Sequence, residues 1–344
     1  MRNNNHIHVL GACALTVLLS VSCLDVRDDV PTCGASPVAF VPRGAAPTKA
    51  AIDGTSFPAS RTLRIAAYYN AVRGDSGTYF AAVPFGKAGD TWMATDTARW
   101  WPFAGTLDFL MYSADGLSLT PRYDTKVTDG VTLVVADNGA VQCDILHASL
   151  ARQRRVDGGN PVTLRHAQAL VTFTATSNVA YDAARNLGVT LDRVTLTGTS
   201  FGGTLHVSAA ADPDDGWCSW SALAAPCDKD LPSVTGGPLA LPYIVPTEPL
   251  DISLAGNHMG VGGIGILVPE QPSTGMVFEY TLHNGIDDAG NRIDNHLSHE
   301  YACDGTPWLE GRRYVYAVAF TFDQIEVVPY VLDWDVTVVA TGGD

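Results

Sequence analysis

Trp100-Trp101-Pro102-Phe103-Ala104-Gly105-Thr106-Leu107-Asp108-Phe109-Leu110-Met111-Tyr112-Ser113 is the stretch from which the fold can be read. Two indole rings run into a proline and a glycine turn, and a strand follows. Successive side chains of an extended chain point to opposite sides, so Leu107, Phe109 and Met111 share one face. Ser113-Ala114-Asp115-Gly116 has turn composition and ends the strand. Aromatic side chains remove the largest areas from water, so Trp100-Trp101-Pro102 reads as a plug in a core. The competing reading, a ligand platform, needs those rings exposed.

The same pattern continues on both sides. Residues 37–41 read as a short strand. Residues 42–49, with two prolines and a glycine, read as exposed irregular chain open to a protease. Residues 62–69, 78–83 and 131–136 alternate as strands. Apolar periodicity lapses between Arg152 and Pro161, where Asp157-Gly158-Gly159-Asn160-Pro161 has turn chemistry, and this marks a domain boundary.

Beyond it, Val171, Phe173 and Ala175 face one way, and residues 189–196 form a strand whose phase shifts at Asp192-Arg193, as at a bulge. Strands follow at 204–207, 265–268, 277–282, 313–320, 324–328 and 336–340, while residues 180–187 hold a helical turn at most. Short strands at this spacing predict an all-β chain of two tandem β-sandwich domains. The partition is a lipoprotein signal peptide over 1–22, an acidic tether over 23–36, and sandwiches over 37–156 and 157–344.

Composition narrows the function. Of 344 residues, 46% are hydrophobic and 17% charged, enough apolar content for a sizeable core. A formal net charge of -15 repels phosphates, which excludes nucleic acid and anionic headgroups as partners.

Arg2 precedes an apolar run over residues 7–21 that is short for a membrane span and suits a secretory signal. Leu19-Ser20-Val21-Ser22-Cys23 resembles a bacterial lipobox, with Ser20 where leucine is usual. Cys23 would then carry diacyl and palmitoyl lipid and anchor the chain to the outer membrane. The alternative is an ordinary cleaved signal with an incidental cysteine. Asp25, Asp28 and Asp29 make the tether acidic, like the surface-export signal of some Gram-negative lipoproteins. Cys218 and Cys227 are close enough in sequence to staple one loop as a candidate disulfide.

Chemistry has no sharp candidate. Gly198-Thr199-Ser200-Phe201-Gly202 fits the letters of a nucleophile elbow, but that elbow needs a helix after the serine, and a strand follows here. The segment from His283 to Glu300 collects three histidines and four carboxylates in neither a zincin nor an EF-hand spacing, and reads as polar loop. Arg73-Gly74-Asp75 lies in a polar turn that glycine explains without a receptor. The expectation is a non-enzyme without metal or cofactor.

The chain as a whole resembles the fimbrillin family, the pilin-like lipoproteins of Gram-negative anaerobes. The resemblance is carried in order by Cys23, Val38-Ala39-Phe40 with Thr48-Lys49-Ala50, and Trp100-Trp101-Pro102 with residues 107–112. His166-Ala167 with Val171-Thr172-Phe173, and Leu267-Val268-Pro269-Glu270-Gln271, come next. Trp308, Gly311, Tyr314-Val315-Tyr316, Ile325 and Trp334 complete it.

The resemblance implies transthyretin-like sandwiches and a subunit, of shaft or tip, in surface fimbriae that serve adhesion. It also implies cleavage by an Arg- or Lys-specific protease, with Arg43 ahead of Lys49 and Arg61 as the site. Loss of the first strand, residues 37–41, would open a groove that a strand of another subunit fills. Val336, Val338 and Ala340 mark the candidate donor. Partners would be other fimbrial subunits, outer-membrane lipid through Cys23, and a host or bacterial surface ligand. The competing function is a surface lipoprotein that binds a host or dietary glycan or protein and never polymerises.

Overall fold

The computed structural model describes residues 36–47, 52–136, 143–209, 218–230, 242–248, 265–321 and 324–333. Among them the regular structure is entirely strand. The first half holds β1 (Ala39–Pro47), β2 (Ile52–Ser56), β3 (Leu63–Asn70), β4 (Gly77–Ala88), β5 (Thr91–Ala94), β6 (Thr106–Ser113), β7 (Arg122–Tyr123), β8 (Gly130–Val135), β9 (Leu146–Gln153), β10 (Asn160–Thr163) and β11 (Arg165–His166). The second half holds β12 (Ala169–Ser177), β13 (Leu187–Thr199), β14 (Gly203–Ser208), β15 (Cys218–Ser221), β16 (Cys227–Asp230), β17 (Tyr243–Ile244) and β18 (Gly265–Val268). It closes with β19 (Gln271–Pro272), β20 (Gly275–Ile286), β21 (Arg292–Ala302), β22 (Pro307–Trp308), β23 (Arg312–Phe320) and β24 (Ile325–Asp333).

The largest sheet runs β10-β1-β5-β4-β3-β6-β9-β11, with β2 added on β1. Its two ends, β10 and β11, are separated in the chain only by Leu164, so the sheet must curl until its edges approach. Phe40, Phe85, Phe109, Trp92 and Trp101 fill the space inside the curl.

β6 shows why the opening stretch organises this half. Leu107, Phe109 and Met111 face the inner core, as alternation requires. Leu110 and Tyr112, on the opposite face, are buried too, in a second core against Val131, Leu133, Leu205 and Val207. That core lies under a four-stranded sheet ordered β15-β14-β8-β7.

A third core takes Phe173, Phe278 and Phe320 from two further sheets, β18-β12-β23-β24 and β16-β13-β20-β21, and Trp308 from the two-stranded pair β19-β22. The bulge expected at Asp192 is there: β13 shifts register against β20 between Leu191 and Arg193.

Four readings of the sequence change. Hydrogen bonding crosses the line drawn between 156 and 157: β10 and β11 bond into the first sheet, and β14 pairs along the whole of β8. A strand belongs with its ladder partners, whatever turn precedes it. The chain after Val41 is regular rather than exposed loop, since β1 continues to Pro47 and Pro42 is buried opposite Val162. The tryptophan buried as a plug is Trp101, edge-on to Phe109 at 5.8 Å, whereas Trp100 is half-buried. The polar stretch after His283 is not a loop but the long hairpin of β20 and β21. β21 is an edge strand with nearly every side chain in solvent, so it lacks the apolar alternation that betrays a half-buried strand.

Candidate functional site

β1 lies inside its sheet. On one side β10 runs parallel to it, Phe40 opposite Asn160 and Val41 opposite Pro161. On the other, β5 runs antiparallel, with Ala39 opposite Met93 and Phe40 opposite Trp92. From Arg43 onward β2 takes over. Gly159 makes this possible: its φ is +97°, and a Cβ there would sit 3.2 Å from the backbone carbon of Phe40.

The side chains of this strand are structural. Val38 and Phe40 are fully buried, and the Phe40 ring stands edge-on to Phe109 at 5.0 Å and near-perpendicular to Phe85 at 5.6 Å. Burying such a side chain contributes about 1.5–3 kcal/mol. The entry of the strand is held by the stretch that organises the fold. The Val38 amide donates to the Arg99 carbonyl at 2.6 Å, and the Trp101 amide donates to the Ser36 carbonyl at 3.1 Å. Trp100 in turn bridges to Pro37, and its carbonyl accepts from the Tyr79 hydroxyl at 2.7 Å. Taking β1 away would therefore strip hydrogen-bond partners from the facing edges of β5 and β10 and leave a cavity against Phe85 and Phe109.

The three basic residues considered for processing sit differently. Arg43 lies within β1, opposite Thr163 of β10 and Ser56 of β2. Lys49 lies outside the described residues, in the 48–51 link between β1 and β2. Arg61 is engaged: its Nη2 donates to the Asp144 carbonyl at 2.6 Å, its Nε reaches the Ser113 hydroxyl, and it pairs with Asp115 at 3.3 Å. Cys23 and the donor positions Val336, Val338 and Ala340 also lie outside the described residues.

Around Arg61 the start of β3, the end of β6 and the start of β9 share a buried polar cluster that the sequence did not disclose. His166 Nδ1 meets Asp144 at 3.0 Å with both side chains buried. The Gln168 side-chain oxygen accepts from the Ile145 amide, and its carbonyl accepts from the Gly311 amide, which ties the first sheet to the turn before β23. Burial pushes the Cys143 thiol up to about 12. Burial, helped by the charges of Arg165 and His166, brings the His147 imidazole down to about 3.

The other candidates resolve into structure. Ser200 follows β13 and precedes β14, its hydroxyl donating to the Ala224 carbonyl at 2.8 Å. Its own amide and carbonyl are clamped by the side-chain amide of Gln271, at 2.9 and 2.8 Å. Cys218 is buried on β15 and Cys227 exposed on β16, in different sheets, and no disulfide joins them. His283 pairs with Asp294 at 2.8 Å and meets Thr190 at 3.1 Å, while His296 meets Thr281 at 2.7 Å. Among the described residues no three metal-ligating side chains converge.

A family model described as fimbrillin-like matches residues 48–334 of this chain. Among solved structures, a fimbrial protein from Bacteroides vulgatus is similar, with a TM-score of 0.57 at 12% identity over 79% of this chain and 92% of that one. A "putative cell adhesion protein" from Bacteroides uniformis is similar with a TM-score of 0.52 at 14% identity, over 87% of this chain and 98% of that one. At these identities the likeness is one of fold. No curated protein matches the chain.

Proposed function

This chain belongs to the fimbrillin-like family, and we propose on that premise that it is a structural subunit of surface fimbriae, in the shaft or at the tip, that assembles by strand exchange and serves adhesion. The observation that carries the proposal is β1, a first strand bonded on both sides, with the buried pair of Phe40 within it and Val38 just before it. A subunit cut behind this pair keeps two strand edges and a vacant apolar slot. Such edges take an added strand through main-chain hydrogen bonds, and the slot selects its alternate side chains. The incoming strand needs two apolar side chains two residues apart, a spacing that Val336 and Val338 offer.

Cleavage after Arg43 frees the plug alone, and cleavage after Lys49 frees all of β1. Arg61 suits a protease least, because its guanidinium is held by Ser113, Asp115 and Asp144. Export as a lipoprotein acylated on Cys23 would bring the chain to the outer-membrane surface, and the same cut would release it from its lipid. The role is structural rather than enzymatic.

N-terminal sequencing of protein sheared from cells tests the processing: a start at Gly44 or Ala50 is expected, and a start at Cys23 overturns it. Electron microscopy of cells with and without the gene tests the subunit role. Unchanged filaments would leave the non-polymerising surface lipoprotein in its place. Labelled palmitate entering the wild type but not Cys23→Ala tests the anchor.

A further inference from the structure

Three turns meet at the end of the first half where the chain enters β1. The turn 102–105 follows Trp101, whose amide donates to the Ser36 carbonyl, and the Val38 amide donates to the Arg99 carbonyl just before it. The turn 154–159 ends at Gly159, which packs against the backbone of Phe40. The turn 71–76 follows Asn70, which lies opposite Thr106, and a Cβ on Gly105 would come within 2.4 Å of the Asn70 carbonyl oxygen.

Each turn puts an apolar side chain into solvent. Val72 is 67% exposed and Phe103 68%, and Val156 is exposed in the third turn. Scattered exposed apolar residues are ordinary, but three in adjoining turns make a patch. Charge does not explain it. Arg73 and Asp75 share the first turn, Arg99 pairs with Asp96 just before Trp100, and Arg155 pairs with Asp157 beside Arg154. Opposite charges nearly balance there, so what the patch offers a partner is apolar surface.

The tether decides which partner. Ser36 stands 13 residues after Cys23. A stretch of that length spans at most about 45 Å, and about 20 Å when relaxed. A lipid on Cys23 therefore holds this end of the molecule, where the tether joins, close to the bilayer.

We propose that Val72, Phe103 and Val156 insert into the lipid surface in which Cys23 is anchored. The proposal rests on the lipoprotein reading of Cys23 and adds a second, non-covalent contact to it. Apolar transfer out of water drives the insertion. The tether makes it an intramolecular event at an effective concentration on the order of millimolar, so three small anchors suffice. The contact also orients the subunit. β1 runs from Ala39 beside the patch to Pro47, a rise of up to about 26 Å at about 3.3 Å per residue. It thus carries Arg43 and the residues after it away from the bilayer.

The full chain, purified from cells and placed in phosphatidylcholine vesicles that carry a photoactivatable group in the acyl chain, tests the contact. Mass spectrometry maps the label. Val72, Phe103 and Val156 should carry about tenfold more of it than Val134, which is 59% exposed on β8 in a different sheet. Val72→Ser with Phe103→Ser should lower the label on the 154–159 turn about tenfold. The melting temperature should not change, because both side chains are exposed. Raising salt from about 0.1 M to about 1 M should leave the label within about twofold, since screening acts on charge.

Equal label on Val134 and Phe103 overturns the proposal, as does label that the double variant leaves untouched. Slowed hydrogen exchange in the three turns without label also overturns it, and shows that another copy covers them. Labelled palmitate at Cys23 is read separately. If palmitate enters and the photolabel is even over the surface, the contact is wrong and the anchor stands. If palmitate stays out and the three turns are still labelled, the anchor is wrong and the contact stands. If neither label appears, both are overturned.

Discussion

β1 and β24, the first and last strands described, differ in how they are held. β1 is bonded on both sides and its Phe40 side chain is fully buried between Phe85 and Phe109. Among the described residues β24 bonds to β23 alone, and its Val331 is 53% exposed. One terminal strand would leave a hole if removed; the other stands at the end of its sheet among the described residues. Strand position in a sheet, rather than hydrophobicity, sets that difference: both strands are apolar, yet Phe40 is fully buried, whereas Val327 is only partly buried against the third core and Val328 and Val331 are exposed. An exposed edge is also where a further strand can add without displacing anything.

The comparison can be broken first at the buried end. Phe40→Ala should cost about 3–5 kcal/mol, read as a lower urea midpoint, and Trp101→Ala about the same, because each leaves a cavity among packed rings. Trp100→Ala should cost less than Trp101→Ala, since its ring is half-buried. Equal losses at the two tryptophans would sink the view that only Trp101 plugs the core.

Gln271→Ala tests a polar support in the other half. It leaves the buried amide and carbonyl of Ser200 without their partner, which should cost about 1–3 kcal/mol. Acid melts test His147. Its imidazole stays neutral in the fold down to about 3, while in the unfolded chain it takes a proton near 6.5. The unfolded state then binds more protons across that window, so stability falls as pH drops. The loss between pH 6.5 and 5 should be about 1.6 kcal/mol, and His147→Gln should flatten that part of the curve. At the exposed end Val331→Ser should change stability by less than about 0.5 kcal/mol. A large loss there would mean that β24 is covered in the folded protein.

Much of this was legible in the residues, and the failures have a common cause. The shared face of Leu107, Phe109 and Met111 and the bulge at Asp192 are local, set by a period of two, whereas the glycine-rich turn at Ser200 joins strands of two different sheets, β13 and β14. The partners that hold Arg61, Ser113, Asp115 and Asp144, lie far along the chain, so its engagement could not be read from the residues around it. β21 looked like loop because an edge strand with both faces in water needs no apolar alternation. Cys218 and Cys227 looked close enough to join, yet their strands pair into different sheets.

By itself the sequence determined the all-β class, the places where most strands begin and turn, and the family the chain belongs to. Those properties follow from side-chain alternation, turn chemistry and residues read in order. Only the tertiary structure decided that both faces of β6 are buried, that Trp101 rather than Trp100 is the plug, and that β8 pairs with β14 across the two halves. A strand's periodicity says which side chains share a face, whereas its neighbours are chosen by hydrogen-bond register with segments distant in sequence. That choice, made for β1 by β5 and β10, is what turns a short apolar segment into a buried plug.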